Sequence, residues 1–240
     1  MNLPYMEKPI LFNGEMVRAI LDGRKTKTRR VITVPWTNGT RTMPYSPYYG
    51  YDEDKKWIWM CDEYGDYHDL PCPYGKPGDQ LWLRETWVHY QTHSHVKGFY
   101  ALSDGSAGYK ADGFKTVEEF RQHILVTCED IEAVVIDKER WKPSIHMPRW
   151  ASRINLLVKD VRVERVQDIT EDGARAEGIT VLPLQEESDP SAWWESSPGV
   201  NQARSARQSF IGLWDSINEK RGYGWDVNSW VWVVEFEVVG

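Results

Sequence analysis

The stretch "NGEMVRAILDGRKTKTRRVITV", residues 13–34, changes character halfway along, and the position of that change decides how the chain is read. Its first half has helical spacing. Met16, Val17, Ile20 and Leu21 share one face, Asn13 is placed to cap the helix, and Gly23 is placed to stop it. The second half packs five basic side chains and two threonines into residues 23–30, then ends in β-branched residues, which predicts a strand. A regular strand sends positions 25 and 28 to opposite faces, so Lys25 and Thr28 share a cleft only across a turn or bulge. The basic run is a solvated charged strand, a grip on a nucleic-acid backbone, or a set of reactive groups.

Composition narrows these readings. At 240 residues the chain can bury a sizeable core, as one large domain or two small ones. The net charge of −7 argues against a general polyanion binder, so contact with nucleic acid is local or the ligand is small. No apolar run approaches the roughly 20 residues needed to span a bilayer. The start, MNLPYMEKPILF, lacks the basic-then-apolar order of a signal peptide, so the expected compartment is the cytoplasm, with no membrane partner. Thirteen Trp and 12 Tyr supply flat amphipathic rings for core packing or for stacking on bases. The three cysteines, Cys61, Cys72 and Cys128, make no disulfide framework. Cys61, His68 and Cys72 offer at most three zinc ligands without a CxxC pair, so no metal and no cofactor is expected.

Further along, "WIWM" (57–60) reads as a strand, and a Pro-Gly-Asp turn at 77–79 feeds another that carries Leu81, Leu83, Glu85 and Trp87. "GFYAL" (98–102) and "AVVI" (133–136) suggest strands, and 117–125 a short helix. Residues 153–169 alternate, with Val161, Val163 and Val166 inward and Arg162, Glu164 and Arg165 wet. "TEDGARAEG" is a short helix favoured by early acids and closed by Gly178. Phe210, Leu213, Trp214 and Ile217 line one helical face, and "SWVWVVEFEVV" is a closing strand. Short strands, many turns and few helices predict an α+β fold with a curved sheet or β-barrel and flanking helices. The expected organisation is one domain with long loop insertions near 37–75, 89–140 and 180–205. Of these, the Tyr-rich loop 43–51 with Tyr48 and the loop 183–200 with Trp194 either border a cleft or decorate the surface.

Four pieces in this order, "ILDGRKTKTRR" (20–30), "KPGDQLWLRE" (76–85), "VQDITEDGARAEG" (166–178) and "WVWVVEFEVV" (230–239), resemble the ASCH domain, a PUA-like β-barrel family. The longer layout, with "WKPSIHMPRWASRI" (141–154), resembles versions from phages and prophages. Within that family the chain is most similar to the bacterial N4-acetylcytidine amidohydrolases. The resemblance implies a catalytic lysine, a threonine three residues later and a helix-ending glutamate, which fall here on Lys25, Thr28 and Glu177, with Arg30 at a matching basic position.

These residue types suit those roles. A threonine hydroxyl attacks an amide only when a base takes its proton. Lys25 serves as that base when neutral, a form favoured by burial and by the cations Arg24, Arg29 and Arg30, and opposed by Glu177. Glu177 then orients the lysine, contacts substrate, or passes a proton to the leaving amine. Backbone N–H groups of the 23–28 turn or Arg30 are the candidate oxyanion donors.

Glu85 either lines the same cleft or pairs with a nearby arginine. Trp87 and Trp150 stack a base or pack a core. His146 and Arg149 are pocket groups or structural ones. No G-x-S-x-G elbow, P-loop, dinucleotide fingerprint or zinc-deaminase signature is present. The expected activity is therefore hydrolysis of an N4-acyl amide on a small cytosine nucleoside or nucleobase, without metal. RNA binding by a PUA-like module and RNA cleavage are the competing functions. Sequence leaves the oligomeric state open.

Overall fold

"WVWVV" near the C-terminus is apolar at every position, where a half-buried strand would alternate, and the protein uses it as an interior strand covered on both faces. In the computed structural model, residues 7–33, 58–61, 67–96, 99–102, 106–128, 131–136, 139–182, 192–196 and 201–239 are described. Tyr48, the loop 43–51, most of 183–200 and the side chains of Cys61 and His68 lie outside the described set.

The strands are β1 (Glu7–Leu11), β2 (Lys27–Val31), β3 (Ile58–Cys61), β4 (Tyr67–Leu70), β5 (Gln80–Arg84), β6 (Trp87–Val96) and β7 (Phe99–Leu102). They continue with β8 (Ser106–Tyr109), β9 (Ile131–Ile136), β10 (Asn155–Arg165), β11 (Thr180–Val181), β12 (Trp194–Glu195) and β13 (Trp230–Val239). The α-helices are α1 (Gly14–Leu21), α2 (Val117–Thr127), α3 (Glu171–Ala176) and α4 (Ala206–Asn218). The fold is α+β. The main sheet has the order β1-β5-β10-β13-β2, and β11-β12, β3-β4 and a four-stranded β6–β9 group form separate sheets. The expected barrel closure is not seen: among the described residues β1 and β2 stay unpaired with each other at the two ends of the main sheet. No described helix is long and apolar enough to cross a membrane.

Two compact units divide the chain. The first comprises Met1–Lys8, Ala19–Leu81 and Leu156–Val239, and the second Pro9–Arg18 and Trp82–Asn155. In the first, Val231 and Val233 of β13 pack with Val166, Ile169, Ile179, Trp194, Phe210 and Trp214. Each fully buried large apolar side chain there contributes roughly 1.5–3 kcal/mol. Helix α4 buries Ala206, Phe210, Trp214 and Asn218, an i, i+4 stripe, which turns Ile217 outward rather than onto the core face. Two hydrogen bonds from the α4 N-terminus, Ala206 N (2.6 Å) and Arg207 N (3.0 Å), end on the Glu171 carboxylate and tie α4 to α3.

In the second unit Val88, Val117, Phe120, Val134 and Ile136 form one cluster, and Trp87, Met147 and Ala151 another. Helix α2 opens on a capping box between Thr116 and Glu119. Trp194, expected on a loop, lies in β12 at the first unit's core with the Arg175 guanidinium 4.6 Å above its ring. It therefore offers no open surface to a ligand.

Candidate active site

Helix α1 ends at Leu21, and Gly23 takes a positive φ of 72° that turns the chain sharply into the basic run. Lys25 N then donates to Ala19 O (2.9 Å) and Thr26 N to Ala176 O (2.9 Å), which seats residues 25 and 26 between α1 and the end of α3. From Lys27 the chain runs antiparallel to β13, with Thr28 opposite Val234, Arg29 opposite Val233 and Arg30 opposite Trp232. Paired residues share a face, so Arg29 shares that of Val233 while Thr28 and Arg30 share the other with Val234 and Trp232.

Helix α3 delivers the carboxylate. Thr170 caps it by accepting from Gly173 N (3.0 Å), and the helix is short enough that Glu177 forms its last cap. Gly178 follows at φ 96°, close against the Ala19 and Lys25 side chains. Lys25 and Glu177 are 2% and 5% exposed, and Nζ donates to Glu177 Oε2 at 2.6 Å. The same ammonium nitrogen donates to Lys27 O (2.9 Å) and Glu177 O (3.0 Å). Glu177 Oε1 accepts from Arg29 Nη1 at 3.2 Å, so one carboxylate serves two buried cations.

Burial is the main force pushing the Lys25 ammonium below its ordinary value. The charge of Glu177 and its hydrogen bond oppose this, and the charges of Arg30 and Arg29 add to it. The neutral amine is thereby less disfavoured than that of an exposed lysine. Arg24, by contrast, is exposed and binds Gly178 O (3.1 Å) and Asp22 (2.9 Å). Its charge is not among the forces on Lys25. Arg30 is partly buried, with Tyr74, Glu177 and Arg221 as its charged or polar surroundings.

Thr28 is 3% exposed. Its hydroxyl makes no hydrogen bond to Lys25 among the described residues. The carbonyl that holds Nζ, however, belongs to the peptide joining Lys27 to Thr28, so the amine sits one peptide group from the threonine backbone. Lys25, Glu177 and Arg29 thus meet directly, with Thr28 and Arg30 on the adjacent strand positions.

The remaining candidates belong to the second unit. Glu85 is fully buried and pairs two-pronged with Arg153, Nε to Oε1 at 3.0 Å and Nη2 to Oε2 at 3.2 Å. Burial raises its carboxyl above the usual range, Arg153 opposes this, and Asp112 adds to it. Trp87 is buried on Met147 and Ala151, edge-on to Trp150 at 5.6 Å. His146 is exposed at the end of a short 3-10 turn, and Arg149 donates to Asn155 Oδ1 at 2.9 Å. Among the described residues no group of three His, Cys, Asp or Glu side chains is placed to hold a metal.

Two participants escape a sequence reading. Glu164 and Arg162 lie on the wet side of an alternating strand, yet Glu164 Oε2 accepts from Arg29 Nη2 at 3.0 Å and Oε1 from Arg162 Nε at 2.6 Å. The alternation "VRVERV" shows that they face together, but nothing local shows that they face Arg29 from 135 positions away. No protein-family model, no curated protein and no solved structure matches the chain.

Proposed function

We propose that this protein is an ASCH-type, PUA-like amidohydrolase that removes the acyl group from the N4 amide of a cytosine nucleoside or nucleobase. The observation carrying this reading is the wholly buried Lys25, shifted toward its neutral form and held at 2.6 Å by Glu177 beside the peptide of Thr28. A lysine buried only for packing would be better replaced by an apolar chain, because desolvating an ion pair commonly costs more than the pair returns. Perturbed ionisable groups of this kind concentrate at reactive sites.

In the proposed reaction neutral Lys25 takes the Thr28 hydroxyl proton as Oγ attacks the acyl carbonyl. The tetrahedral intermediate collapses by breaking the carbon–N4 bond, and the Lys25 ammonium returns the proton to the departing N4 amine. Lys25 then deprotonates a water that cleaves the acyl-threonine, releasing the carboxylic acid and restoring both side chains. Glu177 holds the amine in register and stabilises its charged form, while Arg30 is the side chain assigned to the developing oxyanion. The step draws on no metal and no cofactor. Thr28 reaches the amine by a rotation of its side chain when substrate binds, in keeping with catalytic hydrogen bonds that tighten only in the complex.

The test is turnover of N4-acetylcytidine by wild type, Lys25→Ala, Thr28→Ala and the double variant. Each single change abolishes cytidine release, and the double variant loses little more, because the two groups act as a unit. A single variant that keeps near wild-type rate removes the nucleophile–base assignment.

RNA binding is the second reading, favoured by one surface of the second unit. Trp150 is 60% exposed, set against Trp87 and His89, in a segment that also carries Lys142, His146 and Arg149. Aromatic rings beside cations stack bases and pair phosphates. Retention of RNA lost in Trp150→Ala, with no cytidine released by wild type, selects this reading.

A further inference from the structure

One of the cations beside Lys25 is itself linked outward. Arg29 is clamped between Glu177 and Glu164, and its side chain is 2% exposed. Glu164 is the point where this line approaches solvent, at 23% side-chain exposure, and its second oxygen is taken by Arg162. Arg162 in turn reaches Asp160 (3.1 Å) and Glu235 (3.9 Å), and Glu235 pairs with Lys27 (3.0 Å). The chain of charges runs Lys25, Glu177, Arg29, Glu164, Arg162, with alternating sign at every link.

We infer that Glu164 is a positioning residue for Lys25, acting through Arg29 and the carboxylate that both cations share on Glu177. Its catalytic meaning rests on the amidohydrolase reading, but its electrostatic content does not. Glu177 has two oxygens and two claimants. While Glu164 satisfies the far prong of Arg29, the guanidinium keeps to Oε1 and leaves Oε2 to Nζ. Remove the Glu164 charge and Arg29 has one anion left to neutralise it. The region around Lys25 becomes more positive by one unit and Glu177 is drawn toward Arg29, and both changes favour the neutral amine.

Arg162 acts with the opposite sign, since it screens Glu164 from the other side. Among the described residues Glu177 from the end of α3 and Arg29 and Arg30 from β2 act on Lys25 directly, while Glu164 and Arg162 on β10 stand behind Arg29, and Glu235 on β13 pairs with Lys27. From α1 the bond to Lys25 comes from the Ala19 carbonyl.

The experiment is an NMR titration of full-length protein labelled with carbon-13 at the lysine Cε, the Lys25 signal being assigned by its loss in Lys25→Met. Glu164→Gln keeps the shape and a hydrogen-bond acceptor while removing the charge. It lowers the Lys25 titration point by about one unit, roughly tenfold in its protonation constant. Arg162→Gln raises that point, and Glu164→Asp leaves it near wild type. A residue that only fastened β10 to its neighbours would give no shifts of opposite sign.

The inference is overturned if Glu164→Gln leaves the Lys25 titration unmoved or raises it. Should that variant not fold, Arg162→Gln decides alone: a rise supports the inference and no rise overturns it. No substrate enters the measurement. Shifts as expected without turnover of N4-acetylcytidine count against the amidohydrolase reading only, and turnover without shifts counts against the role of Glu164 only.

Discussion

Lys25 is charged in the unfolded chain at any pH below its ordinary value of 10.5, whereas the folded protein holds it lower, chiefly by burial. The sign of the resulting pH dependence is opposite to that of a lysine gaining a partner. Between the lowered value and 10.5 the unfolded chain binds the extra proton, so stability rises with pH across that window and is flat on either side. Lys25→Met removes this rise. In denaturant titrations from neutral to alkaline pH, the stability difference between wild type and Lys25→Met should therefore move in favour of wild type as pH increases. An unchanged difference would mean that Lys25 titrates in the fold as it does in water. That Lys25 and Glu177 belong together was legible only through their resemblance to a motif. Their sequence separation of 152 residues carries no physical signal of the 2.6 Å contact. A separation of 135 residues from Arg29 likewise hid Glu164, and with it Arg162, whose alternation with valines looks like an ordinary solvated face. Glu85 was open between a cleft role and an ion pair, and its two-pronged contact with Arg153 is the ion pair.

Among the elements, α3 is the one on which the site depends, and it is six residues long. Such a helix has little stability of its own, so its position is set by its ends: the Thr170 cap, the Glu171 carboxylate on the α4 N-terminus, and Gly178. A Cβ on Gly178 would lie 3.0 Å from the Ala19 methyl and 3.3 Å from Lys25 Cβ, in a left-handed conformation that costs further energy. Gly178→Ala should destabilise the protein by about 1–3 kcal/mol and lower turnover by more than that loss explains, because Glu177 moves with the turn. Thermal unfolding alongside kcat at a temperature where the variant is fully folded separates the two effects. Elements with strong local signals were readable: α3 by its threonine and acids, α4 and β13 by their apolar patterns, whereas α2 reads as a short helix over 117–125 without its capping box. By contrast, β6 and β8 were not. "WVHYQTHSHV" alternates poorly and is rich in polar residues, and its pairing with β7, β8 and β9 is settled by tertiary contacts. The α1 face was only half right: Val17, Ala19 and Ile20 are buried, while Leu21 is exposed where the helix ends.

Taken whole, a molecule of net charge −7 treats a neutral nucleoside and a polyanion differently. Hydrolysis of N4-acetylcytidine involves no charged partner in the encounter, so kcat/KM should change by less than about twofold between roughly 50 and 300 mM NaCl. Binding of RNA through a local basic surface would instead weaken steeply over the same range. A steep salt dependence of nucleoside turnover would show that charge steering, and not the buried site alone, governs access. The arrangement of the basic run has a further consequence at the end of the main sheet. Strand β2 ends the main sheet among the described residues, and the end of such a sheet presents carbonyl and amide groups that invite another chain to zip alongside. Thr26 O is already bound by Phe236 N of β13, so by antiparallel alternation the next carbonyl, that of Lys27, points outward. It is the one that the Lys25 ammonium occupies. Lys25 therefore also ties off the side of β2 that faces away from β13: its ammonium satisfies a backbone carbonyl that no described strand pairs, inside a site closed by the end of α3.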